Sequence, residues 1–102
     1  MVGGRSPRRK GDNGEREFAR LVGGRRVPLS GSAGGTYSGD VDWPGVGRGE
    51  VKRRKDGFKQ LYAWLEGRDF LALRSDRQGW LVVLPLTKAL ELISLKQSET
   101  GN

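Results

Sequence analysis

Residues 39–54 read GDVDWPGVGRGEVKRR. From Asp40 to Trp43 acidic and apolar residues alternate, which is the period of a half-buried strand. Pro44-Gly45-Val46-Gly47 is turn chemistry, and Arg48 to Arg54 alternates again around Val51. The stretch reads as a β-hairpin. Strand side chains alternate faces, so Asp40 and Asp42 share one face, as do Glu50 and Lys52. Val41, Trp43 and Val51 take the other, buried face. A hairpin that turns symmetrically about Val46 sets Asp40 across from Lys52 and Asp42 across from Glu50, with all four on one side. Carboxylates held together repel unless a cation or proton compensates, and a hard divalent cation with oxygen ligands is the natural resolution. Lys52 is a compact charge able to steady a hydroxide nucleophile or a phosphate oxygen. The bland alternative is a solvated hairpin face carrying two surface ion pairs.

On the N-terminal side, residues 1–10, MVGGRSPRRK, lack periodicity and read as a flexible basic arm. A helix follows from Asp12, with Phe18, Leu21 and Val22 as its apolar stripe. Asp12 or Asn13 would cap it, Glu15 and Glu17 suit its positive end, and Gly23-Gly24 ends it. Arg25 to Leu29 reads as a short strand, and residues 30–39 as a Gly/Ser loop. On the C-terminal side, Phe58, Leu61, Tyr62 and Leu65 mark an amphipathic helix closed by Gly67. Two buried strands are expected at residues 70–73 and 80–84 around a turn at residues 75–79. A last helix starts at a Thr87 cap, and residues 97–102 form a frayed tail. The expected order is α-β-β-β-α-β-β-α, an α/β or α+β domain over residues 11–96 with a mixed central sheet flanked by helices. Trp43 and Phe58 read as core, and Trp64 and Trp80 as core or dimer contact.

The composition narrows the chemistry. The chain has 102 residues, no Cys and no His, and a net charge of +7. Disulfides, thiolate zinc sites, Ser-His triads and imidazole bases are excluded. No apolar run reaches the length of a membrane span, so a cytoplasmic protein without a membrane partner is expected. The charge is uneven: +5 over residues 1–26, −2 over 27–46, +4 over 47–59, and zero thereafter. Two basic blocks around an acidic island suit a polyanion partner, most often nucleic acid.

Gly39-Asp40, with Glu50-Val51-Lys52 ten positions on, resembles the PD-(D/E)XK nuclease signature, with Gly39 where that motif usually has Pro. Arg9-Lys10-Gly11 with Glu15-Arg16, and Arg26-Val-Pro28-Leu-Ser30-Gly31-Ser32, resemble the opening helix and the strand-to-loop segment of the archaeal-type Holliday junction resolvases. The likeness runs from about Arg9 to Leu90.

The resemblance implies a restriction-endonuclease-like fold and a metal-dependent endonuclease that resolves four-way DNA junctions by paired symmetric nicks. It implies Mg2+, with Mn2+ as a substitute, held by Glu15, Asp40, Glu50 and the carbonyl of Val51, with Lys52 assisting the nucleophile. Ser30 matches a loop serine that contributes to cleavage, and Ser32 lies in the same DNA-facing segment. Arg8, Arg9, Lys10 and Arg26 fall near the DNA backbone. From position alone, Arg53, Arg54 and Lys55, beside the site, suit phosphates. Asp42 has no family role: it is a supplementary ligand or is turned away by a bulge. Gln60 falls where related nucleases carry a site-facing polar residue. A homodimer supplies two sites for symmetric incision, in a cytoplasmic, nucleoid-associated protein whose size also suits a phage gene. The alternatives are another nuclease of the superfamily, acting on linear or flap DNA, and a non-catalytic nucleic-acid binding module.

Overall fold

The computed structural model describes residues 7–29 and 37–100, with side chains over 11–29 and 37–98. The chain is α+β: α1 (Pro7–Val22), β1 (Arg25–Pro28), β2 (Tyr37–Trp43), β3 (Gly47–Glu50), α2 (Lys59–Leu65), β4 (Leu71–Leu73), β5 (Leu81–Val83) and α3 (Leu86–Thr100). The element order is the expected one. The expected domain gathers into two compact units, Met1–Lys55 and Asp56–Asn102. The single mixed sheet gives way to two antiparallel ones, three-stranded β1-β2-β3 and two-stranded β4-β5. Within each sheet the paired strands are consecutive in the chain, β1 with β2, β2 with β3 and β4 with β5, which favours antiparallel pairing.

In the first unit, α1 starts at Pro7, five residues before the expected cap. Proline suits a first helical turn, where its missing N–H is not needed. Part of the expected arm is thus helix, and Asp12, Asn13 and Glu15 lie within α1 rather than at its start. Its end is as read. Gly24 N–H bonds the Ala19 carbonyl at 2.8 Å and Gly23 N–H bonds that of Arg20 at 3.3 Å, a Schellman pair. Gly23 supplies the required positive φ of 67°.

The buried face of α1 runs Glu15, Phe18, Ala19 and Val22, at i, i+3, i+4 and i+7, while Leu21 is exposed. This face covers β2. Val41 is 1% exposed, and the Phe18 and Trp43 rings meet edge to face at 5.4 Å. Val27 and Ala19 complete the small core.

The hairpin keeps its predicted parity but not its register. Val46 N–H bonds the Trp43 carbonyl at 3.0 Å around Pro44-Gly45, with Gly45 at φ 89°. This is a type II turn, in which proline presets the first central residue and glycine takes the second. The hairpin is therefore centred on Gly45, one residue earlier than expected. Asp40 pairs with Glu50 and Asp42 with Arg48. The β2–β3 ladder stops there, and the next residue of β2, Gly39, has φ 97° where the β1–β2 register also shifts. β3 accordingly ends at Glu50, short of the expected Arg54, and Val51 is half-buried.

In the second unit α2 begins after Phe58, as expected, and Gly67 follows it with φ 75°. None of the described side chains from Asp56 to Ser98 is buried. β4 and β5, expected as buried strands, present only Leu71, Leu73 and Val83 as half-buried. Phe58 is half-buried, whereas Trp64 and Trp80 are exposed. α3 starts at Leu86 without a Thr87 cap, with Lys88 and Ala89 N–H groups bonding the Pro85 carbonyl at 3.0 and 3.2 Å. It continues to Thr100, where a frayed tail is expected. Glu, Leu, Lys and Gln, frequent in this segment, are good helix formers.

Gly24 connects α1 to β1 against the Asp42 carbonyl, and a Cβ there would collide with that backbone oxygen. Gly24→Ala is expected to shift the β1–β2 pairing and cost about 1–3 kcal/mol or more. Urea unfolding checks it. Gly23→Ala, whose Cβ meets nothing but whose φ is positive, costs about 1 kcal/mol.

Candidate functional site

α1 and the three-stranded sheet place the predicted site residues on two opposite faces. Paired residues share a face, and faces alternate along each strand. Gly39, Val41 and Trp43 point to α1. Asp40 and Asp42 point away, together with Glu50 and Arg48.

On the far face, Asp40 stands directly across from Glu50, and Glu50 Oε1 forms an exposed ion pair with Lys52 Nζ at 3.5 Å. Ser38 ties the start of β2 to β1: its Oγ donates to the Val27 carbonyl at 3.1 Å and accepts the Asp40 N–H at 3.3 Å. The Asp40 backbone is thereby held at its register position. The corrected register brings Asp40 and Glu50 closer than the expected one, which set them two residues apart. It also removes Asp42 from Glu50. Asp42 Oδ1 instead accepts Arg48 Nε at 3.4 Å, in the open.

On the α1 face, Glu15 is 7% exposed. Its Oε1 accepts a hydrogen bond from Arg26 Nε at 3.1 Å and pairs ionically with Nη2 at 3.1 Å, while Arg26 Nη2 donates to Asp12 Oδ1 at 3.0 Å. The Arg26 guanidinium lies 3.9 Å over the Tyr37 ring, a cation–π contact. Glu15 Oε2 faces Gly39, where a Cβ would lie 3.8 Å away. Glycine suits this position, because proline cannot reach the observed φ of 97°.

These contacts revise two expectations. Arg26, expected at the DNA backbone, is nine-tenths buried and committed to Asp12 and Glu15. Glu15, expected as a ligand beside Asp40 and Glu50, sits on the other face with an arginine already neutralising it. Among the described residues no three acidic side chains come together closely enough to share an ion. Asp40 and Glu50 remain as hard oxygen donors across one hairpin, and Mg2+ is commonly held by one or two carboxylates with water and substrate phosphates completing the shell. The pair fits such an ion, with the Val51 carbonyl next in the chain.

Of the remaining candidates, Arg8, Arg9 and Lys10 lie in the first turns of α1, and Ser30 and Ser32 lie outside the described residues. Arg53 runs along α1, its stem filling the space beside Gly14, where a Cβ would be 3.1 Å from that of Arg53. Arg54 and Lys55 are exposed, and Gln60 is exposed on α2 in the second unit. Asp12 was expected as a helix cap, and Tyr37 and Ser38 as part of the Gly/Ser loop; the structure places Asp12 within α1 and the other two in β2. A carboxylate at the helix position facing Gly39 was the available signal, since a buried Glu demands a cation.

No described helix is long and apolar enough to cross a membrane. Comparison with known protein families, with curated proteins and with solved structures finds no match to this chain.

Arg26→Met leaves Glu15 buried without its partner and is expected to cost about 3–5 kcal/mol, read by denaturant unfolding. Adding Glu15→Met should recover most of that loss, because the cost is that of a buried carboxylate left without its cation.

Proposed function

We propose that the chain is a metal-dependent, structure-selective DNA endonuclease acting on four-way junctions. The observation that carries this reading is the register that sets Asp40 across from Glu50, with Lys52 at the Glu50 carboxylate. Two carboxylates and a lysine on a solvent-facing hairpin, in a chain of net charge +7, suit hydrolysis of a phosphodiester. Asp40, Glu50 and the Val51 carbonyl would hold Mg2+, or Mn2+ in its place. The ion supplies charge neutralisation at the phosphate and a bound water of lowered pKa. Lys52 carries a compact positive charge to the phosphate oxygens and, through Glu50, keeps that carboxylate oriented. Arg53, Arg54 and Lys55 continue from the site and supply backbone contacts, with Arg8, Arg9 and Lys10 as a second basic segment.

Selectivity then comes from DNA shape rather than base reading. Two opposed incisions need two sites, so the active form in this proposal is a twofold homodimer. The exposed apolar side chains Trp80, Leu81, Val82, Leu92 and Leu95 are available to a partner chain.

A second reading is favoured by the commitment of Glu15 to Arg26: a DNA-binding module whose remaining carboxylates make only surface ion pairs. Cleavage of a four-way junction and of a linear duplex of the same sequence, in Mg2+, separates the two. The nuclease cuts the junction in preference. Asp40→Asn is expected to abolish cutting by more than about 100-fold, since even outer-shell changes in metal sites reach that size, while junction binding persists. Equal cutting of both substrates contradicts junction selectivity, and binding without cutting under any divalent metal supports the module.

A further inference from the structure

The far face of the sheet carries a second row beside the Asp40–Glu50 pair. Arg25 of β1 pairs with Asp42 of β2, and Asp42 pairs with Arg48 of β3. The three side chains therefore share one face and one line across the sheet. Two residues along a strand is roughly 6.7 Å, a step of the order of that between successive phosphates on a DNA strand. All three groups are exposed or nearly so, and Arg48 reaches Asp42 through Nε at 3.4 Å. That bond uses Nε and not the terminal nitrogens of the guanidinium fork. The row borders an open groove of about 520 Å³ lined also by Gly23, Gly24, Gly45 and Gly47. Trp43, Pro44 and Val46 complete the lining, and a Cβ at Gly23 or Gly47 would meet nothing within 4 Å.

We propose that Arg25 and Arg48 form a subsite for a DNA backbone phosphate next to the one held at Asp40 and Glu50. Asp42 is then a positioning residue that holds Arg48 and separates the two cations. Arginine suits the task because its planar fork meets two phosphate oxygens at once. The assignment of the neighbouring phosphate rests on the nuclease reading. The binding itself does not.

The test is junction binding in EDTA, by fluorescence anisotropy, as a function of salt. Arg25→Gln and Arg48→Gln should each lower the slope of log affinity against log salt by about 1, and the double variant by about 2. Arg48→Lys should recover the slope lost in Arg48→Gln, and Asp42→Asn should bind more tightly than wild type. Thermal melting verifies that the variants fold, and the single variants decide if the double variant does not. Slopes equal to wild type in the single Gln variants overturn the subsite. If the slopes fall but wild type never cuts, the subsite stands and the nuclease reading fails. If wild type cuts and the slopes do not move, the reverse holds.

Discussion

The first unit depends on one cation. Arg26 leaves β1 on the face that α1 covers and joins Glu15 and Asp12 of that helix to the sheet, with Tyr37 beneath its guanidinium. A carboxylate as buried as Glu15 carries a desolvation cost that only a close, hydrogen-bonded partner offsets. The pair replaces what would otherwise be apolar packing in a core of few residues, Ala19, Val27 and Val41. It also determines the orientation of the sheet. With Arg26, Val41 and Trp43 turned to the helix, alternation obliges Asp40, Asp42, Arg48 and Glu50 to face away. The residues of the proposed site therefore lie together on the face of the sheet away from α1.

On that side the turn decides the geometry. Pro44-Gly45 takes the centre of a type II turn, and every cross-strand partner follows. A turn centred one residue later would keep the same parity yet exchange partners, giving Asp40 a lysine and Asp42 a glutamate. The β2–β3 ladder ends at the Asp40–Glu50 pair, so this pair lies at the end of the paired strands, beside the departure of Val51 and Lys52.

Much of this was legible in the residues alone. Alternation from Asp40 to Trp43 marked the hairpin and its faces, and Gly23-Gly24 marked the end of α1. Period was sufficient there because both features depend on local rules. The register was not legible, because parity is insensitive to a shift of two in cross-strand pairing. Leu21 lies off the buried stripe because the stripe includes Glu15, which an apolar count omits. The start of α1 at Pro7 and the helical end of α3 escaped notice because a basic or polar composition resembles an arm or a tail. The shared face of Asp40 and Glu50 was legible from spacing, whereas the place of Lys52 across from Asp40 was not kept. Glu15 was placed there by resemblance alone, and its tertiary partner, eleven residues away, directs it to the other face.

The most direct measurement is a Mg2+ titration followed by side-chain carboxyl carbon shifts in the labelled protein. A two-carboxylate site predicts that Asp40 Cγ and Glu50 Cδ shift together along one saturating curve, while Glu15, Asp12 and Asp42 stay in place. Uniform, non-saturating shifts over all acidic residues, or a saturating shift centred on Glu15, would contradict it.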